Sequence, residues 1–308
     1  MLGDYILRAS DIHHGLSSKQ VRILAYEFAV ANNKRFAESW SEKGMAGKEW
    51  LFGFRQRYKL TLRTPEQISL SRATSFNKTN IEAFFKNLRE LRTKYNLESH
   101  DIYNLDETAT TTVHKPPKIS TKMGNKNVGQ VTSAERGTLV TLVGIIGATG
   151  EFVPPFLIFP RVHFKEHMLH GAPPGSKGIA TPTGWMNSSL FLPLLQHFAE
   201  HERPTREKPK LILLDNHESH LSIVALDFAK ENGILMLTLS PHCSHKIQPL
   251  DVSVFGPFKN FYNSACDKWM VNHPGRPITI HDVAGLVGEA FPQAFTPKNI
   301  CRVLKPLV

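Results

Sequence analysis

The chain has 308 residues, 41% of them hydrophobic and 21% charged, and 37 Lys and Arg against 27 Asp and Glu give a net charge of +10. This composition excludes a disordered or collagen-like chain, and the length predicts about two domains. Three widely spaced cysteines exclude a disulfide framework, and the longest apolar run, at 139–148, is too short to span a membrane. A basic protein of this kind favours a polyanionic partner, usually nucleic acid.

The first elements predicted along the chain are two helices, one over 19–33 and a basic one in AGKEWLFGFRQRY (46–58), joined by a loop around 41–44. A helix, a short connection and a basic helix form the pattern of a helix-turn-helix, whose second helix enters the major groove of DNA. The stretch 43–78 contains eight bases against two acids, so it alone carries +6. A solvated helix face is the alternative interpretation. The predicted DNA-binding residues are Lys48, Arg55, Arg57, Lys59 and Arg63.

A helix over 79–95 is interpreted as a connector between domains, and strands and helices alternate beyond it. This order predicts an α/β domain with a mixed sheet. The predicted elements are a strand at 101–108, a hairpin at 137–159 turning at 148–150, a helix at 188–202, a strand at 210–215, a helix at 221–232, a strand at 234–239 and a helix at 252–269.

Acidic residues fall where two of these apolar strands are predicted to stop. Asp106 closes IYNLD, Asp215 closes LILLD, and Asp251 follows the last strand through the loop LSPHCSHKIQPLD. If the first and fourth strands are neighbours, Asp106 and Asp215 lie side by side, and Asp251 could reach them from the next helix. Three carboxylates make an all-oxygen site suited to Mg²⁺ or Mn²⁺, and two such ions support phosphoryl transfer. Solvated strand ends are the alternative.

The segments around these acids resemble the signature blocks of DDE-superfamily transposases of the pogo, Tigger and Jerky group, which includes centromere protein B. The matching segments are NLDET (104–108), LLDNHESH (213–220) and LSPHCSHKIQPLDVSVFGPFK (239–259), and the N-terminal AGKEWLFGFRQRY resembles the DNA-binding domain of the same group. The resemblance implies a ribonuclease H-like catalytic domain with a mixed sheet, preceded by an all-α helix-turn-helix domain. It makes Asp106, Asp215 and Asp251 the catalytic acids, which hold two Mg²⁺ or Mn²⁺ ions. It makes Glu107 a neighbour of these acids and not a ligand.

The resemblance also sets the expected domains and partners. These domains are a centromere-protein-B-type helix-turn-helix over 1–74, a linker helix over 75–98 and a DDE endonuclease-like domain over 99–308. The expected activity is metal-dependent cleavage of DNA at a transposon end, followed by attack of the freed 3′-hydroxyl on target DNA, in the nucleus. DNA is the expected partner and a homodimer is left open, whereas no membrane and no small-molecule cofactor are expected.

Two departures from the family pattern keep a second function open. The chain carries only what resembles the second of two tandem helix-turn-helix units, and Ser253 stands where the family commonly has glycine. The alternative is therefore a domesticated, catalytically inactive DNA-binding protein that acts in chromatin or transcription regulation. His217 and His220, beside Asp215, are interpreted either as contacts for DNA or water or as structural histidines.

Overall fold

The computed structural model describes residues 2–11, 15–64, 77–116, 120, 122–123, 132–134, 136–217, 219, 222–239 and 247–307. The chain divides into two compact units, Met1–Thr74 and Ser75–Val308. Across these described ranges, no helix combines the length and the apolar character that crossing a membrane requires.

The first unit is helical. Its helices are α1 (Leu2–Asp11), α2 (Ser18–Ala31), α3 (Glu38–Lys43) and α4 (Lys48–Arg57). A capping box starts α2, because the Ser17 side chain accepts a hydrogen bond from the backbone of Gln20, whose own side chain reaches back to Ser17. A small apolar core of Ile6, Val21, Leu51 and Phe54 joins α1, α2 and α4.

Both helices predicted for this unit are present, but the loop expected around 41–44 is wrong over most of its length. Helix α3 occupies 38–43 and ends at Gly44, whose φ of +59° suits glycine. Because α3 buries none of its residues, it leaves no apolar periodicity in the sequence by which it could be found.

The second unit is built on a six-stranded mixed sheet. Its strands run in the order β4-β3-β2-β1-β5-β6, with β1/β2 and β2/β3 antiparallel and β3/β4, β1/β5 and β5/β6 parallel. The predicted α/β class with a mixed sheet is therefore confirmed. The elements are α5 (Lys78–Tyr95), β1 (Ile102–Thr111), β2 (Leu139–Gly147), β3 (Phe152–Pro160), β4 (Lys177–Thr181), α6 (Ser188–Glu202), β5 (Lys210–Leu214), α7 (Ile223–Glu231), β6 (Ile234–Thr238), α8 (Phe255–Asn272), α9 (Ile280–Ala294) and α10 (Pro297–Leu307).

Helices cover both faces of this sheet. Because strand side chains alternate, Ile102 and Leu211 point to one face, which packs on α5, α8, α9 and α10, whereas Tyr103 and Ile212 point to the other, which packs on α6 and α7. Helix α5, interpreted from sequence as a connector, buries Phe84 and Leu88 in the first of these cores and so belongs to the second unit.

Several elements of the second unit match the sequence pattern and others have no counterpart in it. The hairpin turning at 148–150 and the helix at 188–202 are present as predicted. Strand β4 was not predicted, since only one of its five residues is fully buried. Helices α9 and α10 lie beyond the last predicted element.

Candidate active site

Asp106 lies within a strand and not at its end, so the prediction that it closes the strand is wrong. Strand β1 continues to Thr111 because its antiparallel pairing with β2 extends that far. On its other side, the recorded parallel pairing with β5 ends at Asn104 opposite Leu213. Asp106 therefore stands just beyond the point where β1 loses its parallel neighbour, at the type of sheet edge where ligands collect in α/β proteins.

Asp215 is the first residue after β5. The pairing of Ile102 with Leu211 and of Asn104 with Leu213, carried on by two residues, brings Asp215 opposite Asp106. By strand alternation, the Asp106 side chain lies on the sheet face on which Leu211 and Leu213 pack, and Asp215 follows directly after the strand that carries these two leucines. The condition set in the sequence analysis, that the strands leading to these two acids are neighbours, is met.

Asp251 lies on a single π-helical turn, Leu250–Val254, which leads into α8. Leu250 and Val254 are buried in the core on the same sheet face, while Asp251 itself is exposed. The hydroxyl of Ser253 donates to the carbonyl of Pro249 at 3.0 Å. Turns of this kind occur often at functional sites.

Two fully buried amides connect the segments that carry the acids. The side-chain nitrogen of Asn104 donates to the Leu213 carbonyl at 3.0 Å and to Oε1 of Gln248 at 3.2 Å. Its oxygen accepts from the backbone N–H of Leu250 at 3.1 Å, and Nε2 of Gln248 donates to the Leu105 carbonyl at 3.0 Å. These bonds join β1, β5 and the start of the π-helical turn.

Gly144 allows the turn to lie close to the sheet. It pairs with Asp106 across β1 and β2, at an irregularity in the register between β2 and β3. A Cβ atom there would lie 3.3 Å from the Leu250 side chain and 3.2 Å from Phe295. A larger residue would therefore push the Asp251 segment away from β1.

The acids affect each other electrostatically. Burial, followed by repulsion from Asp251, Glu107 and Asp215, raises the pKa of Asp106 well above its ordinary range, and a backbone hydrogen bond from Glu107 opposes this only in part. A carboxyl group in such surroundings is costly to ionise unless a cation offsets the charge.

His217, one of the two histidines predicted beside Asp215, makes local hydrogen bonds. The backbone N–H of His217 donates to Oδ1 of Asp215 at 3.1 Å, and Nδ1 of His217 lies 2.8 Å from the hydroxyl of Ser219.

Within the part of the chain that the structure describes, no three His, Cys, Asp or Glu side chains are arranged as a group that could hold a metal ion. His220 and the loop 240–246 lie outside the described residues.

In the first unit, aromatic side chains fix α4. Phe54 is buried and stacks on Trp50 with ring centroids 4.8 Å apart. The Arg22 guanidinium donates to the Ala46 carbonyl at 2.6 Å, which ties α2 to the turn before α4. One face of α4 is thus held in the core, and the other is left to solvent.

The predicted DNA-binding residues differ in exposure. Arg55 is half-buried, and its Nε atom is enclosed without a hydrogen-bond partner among the described residues. The other four side chains are exposed and, within the described ranges, take part in no ion pair. These are Lys48, Arg57, Lys59 and Arg63.

Sequence reasoning missed Asn104 and Gln248. Each stands within three residues of a predicted acid, in NLD and QPLD, but they are 144 positions apart and amides have no periodicity that reveals a partner. The available signal was an uncharged polar residue in an otherwise apolar strand, which requires a buried partner.

Residues 136–299 match the family described as DDE superfamily endonuclease, and this range is just over half of the chain. The chain belongs to the DDE superfamily endonucleases. In this DDE endonuclease the matched range includes Asp215 and Asp251, while Asp106 precedes it.

Solved structures of the Mos1 transposase resemble this DDE endonuclease in fold. The Mos1 strand transfer complex has a TM-score of 0.54 at 14% identity, over 96% of this chain and 77% of that chain. The Mos1 mariner paired-end complex with Mn has the same score and identity and covers 96% of this chain and 78% of that one. These likenesses support a ribonuclease H-like fold.

A curated relative is the protein named MFS-type transporter clz9 from Cochliobolus lunatus. It is 29% identical over 223 residues, which cover 70% of this chain and 24% of the relative. The chain thus spans about a quarter of the length of this relative.

The raised pKa of Asp106 predicts that Asp106→Asn stabilises the metal-free protein at neutral pH. The folded state holds the Asp106 proton more tightly than the unfolded chain does, so stability is greatest below the ordinary pKa of about 4 and falls as pH rises through the raised pKa. Asn keeps the shape without the charge. Urea unfolding in EDTA at pH 7 is expected to show a gain of roughly 1 kcal/mol, shrinking towards pH 4.

The matched control is Asp227→Asn, which removes an exposed carboxylate on α7 and is expected to leave the unfolding free energy unchanged. Equal or lower stability of Asp106→Asn at pH 7 would contradict the electrostatic description of the site.

Proposed function

We propose that this DDE endonuclease hydrolyses phosphodiester bonds of DNA with a divalent cation held by Asp106, Asp215 and Asp251. The observation that carries the proposal is the arrangement of the acid-bearing segments: β1, which carries Asp106, pairs with the strand that ends just before Asp215, and Asn104 joins both strands to the turn that carries Asp251. The raised pKa of Asp106, caused by burial and by repulsion from Asp251, Glu107 and Asp215, agrees with this arrangement. The donor set consists of carboxylate oxygens, which suits Mg²⁺ or Mn²⁺. A cation would offset the repulsion that these acids experience without it.

We further propose that the site holds two ions, either Mg²⁺ or Mn²⁺. Bound divalent ions supply Lewis acidity, which activates an attacking oxygen and stabilises a leaving one. The carboxylates of Asp106 and Asp215 hold the site from the sheet edge, and Asp251 closes it from the π-helical turn. Backbone pairing of β1 with β2 keeps Asp106 rigid during the reaction.

The similar Mos1 structures support this proposal through what they contain. Mos1 is described in a strand transfer complex and in a paired-end complex with Mn. For this chain we propose hydrolysis at a DNA end followed by attack of the freed 3′-hydroxyl on target DNA. Because the proposed substrate is DNA, we propose that the protein acts in the nucleus. The homodimer stays a prediction.

DNA binding is proposed for the first unit. Lys48, Arg57, Lys59 and Arg63 are exposed along α4 and the segment after it, whereas the aromatic side of α4 is fixed in the core. Basic side chains in such a place suit phosphate contacts on either side of a major groove. Arg55, being half-buried, stays a predicted contact.

The non-catalytic alternative is less favoured. The family match extends through the segments that carry Asp215 and Asp251, and Asp106 is retained in register with Asp215.

The first prediction of the proposed function is that the purified protein nicks DNA in the presence of Mn²⁺ and that Asp106→Asn, Asp215→Asn and Asp251→Asn each abolish nicking. Asn keeps the side-chain volume but removes the negative charge that binds the cation. The measurement is conversion of supercoiled plasmid to open circles with and without EDTA. Asp227→Asn is expected to cleave like the unchanged protein; activity in the three Asn variants equal to it would refute the metal-site assignment.

The second prediction concerns DNA affinity. Replacing Lys48, Arg57, Lys59 and Arg63 together with Ala is expected to weaken binding and to lower the slope of log affinity against log salt by up to about 4, because each phosphate contact contributes roughly one counterion. Fluorescence anisotropy with a duplex at several salt concentrations measures both quantities.

Lys19→Ala provides the control for net charge, since Lys19 is exposed at the first turn of α2, outside the basic stretch. It is expected to leave the salt slope nearly unchanged. An equal loss per charge removed at Lys19 and in the basic stretch would mean that general charge attraction, and not the α4 surface, accounts for binding.

A further inference from the structure

Two buried amides stand at the point where the three acid-bearing segments meet. Asn104 and Gln248 are both fully buried, although neither carries a charge that the reaction could use. Burial of unpaired amides is costly, so a pair of this kind persists only where its hydrogen bonds are satisfied. Here they are satisfied by each other and by the backbone of three separate segments.

The hydrogen bonds of this pair end beside the acids. Asn104 is two residues before Asp106 and donates to the carbonyl of Leu213, two residues before Asp215. It accepts from the backbone N–H of Leu250, the residue next to Asp251. Each of the three acids therefore lies within two residues of Asn104 or of one of its hydrogen-bond partners.

Gln248 adds a second connection between β1 and the segment that leads to Asp251. Its Oε1 accepts from Asn104 and its Nε2 donates to the carbonyl of Leu105, the residue before Asp106. Both groups of the Gln248 amide are thereby turned towards β1. The segment leading to Asp251 therefore has its rotation relative to β1 fixed, as well as its distance.

We propose that Asn104 and Gln248 are positioning residues that set the affinity of the three-carboxylate site for divalent cations. This inference rests on the proposed function, because it concerns the same site. Apolar packing of Leu250 and Val254 brings the turn to the sheet but has no direction, whereas hydrogen bonds determine orientation. Three repelling carboxylates need such directional support, since nothing in their own interaction holds them together.

The test measures Mn²⁺ binding directly, by electron paramagnetic resonance of free Mn²⁺ during titration of the full chain. Gln248→Met and Asn104→Leu keep the overall shape of the side chain but remove the amide groups. Each is expected to weaken Mn²⁺ binding by about 10-fold or more, the size typical of lost outer-shell support. Because both act through one hydrogen-bonded pair, the double variant is expected to lose little more than the worse single variant.

A second readout separates positioning from general damage. The Mn²⁺ concentration for half-maximal nicking is expected to rise in step with the binding loss, while affinity for duplex DNA stays unchanged. The control is Thr141→Val, which removes a buried hydrogen bond from Thr141 to the Gly184 carbonyl, 2.7 Å long, on β2. It is expected to cost stability but not Mn²⁺ affinity.

The outcomes distinguish the two proposals. If the unchanged protein binds Mn²⁺ and the amide variants bind it equally well, or Thr141→Val loses as much, the positioning inference is wrong and the proposed function stands. If the unchanged protein binds no Mn²⁺, the proposed function fails and the inference fails with it. Should Gln248→Met not fold, Gln248→Asn, which keeps the amide but shortens its reach, is measured with the same expectation.

Discussion

Electrostatic repulsion of Asp106 by Asp251, Glu107 and Asp215 is the constraint on which the candidate site depends. Repulsion from the other acids, added to burial, raises the pKa of Asp106 well above its ordinary range. Left to themselves, such groups separate or take up protons. The surrounding structure opposes such separation with three rigid features. These are a strand paired along its length, a turn packed into the core, and buried amides that connect them.

The sheet topology explains why the segments that carry the acids lie close to one another. Strand β1 lies between an antiparallel partner that supports it to Thr111 and a parallel partner whose recorded pairing ends opposite Asn104. The resulting step in the sheet edge places Asp106 just beyond the last parallel pair while keeping its backbone in the ladder with β2. Gly144, across from Asp106, leaves room for Leu250, so the turn that bears Asp251 can approach the same step. The uneven end of the sheet thus suits the proposed three-carboxylate site.

Much of this arrangement could be predicted from the sequence, because its signals are local. Apolar runs marked β5 and β6, a turn signal marked the hairpin, and apolar spacing marked α6 with its observed bounds. The extension of β1 to Thr111 could not be predicted, since pairing with β2 and not local propensity sustains it. Helix α3 and strand β4 were not predicted because they bury few or none of their residues and so leave no apolar pattern in the sequence. The Asn104–Gln248 pair escaped because its two members come together only once the sheet and the turn have formed.

The most direct test of the account is anomalous X-ray scattering from crystals of the protein grown with Mn²⁺. Carboxylate ligands bind such hard cations at short distances, so bound ions would be visible beside the oxygens that hold them. We expect two anomalous peaks between Asp106 and Asp215, with Asp251 adjoining them. Ordered carboxylates at this sheet edge with no anomalous density, in crystals saturated with Mn²⁺, would contradict the central claim that these acids form a metal site.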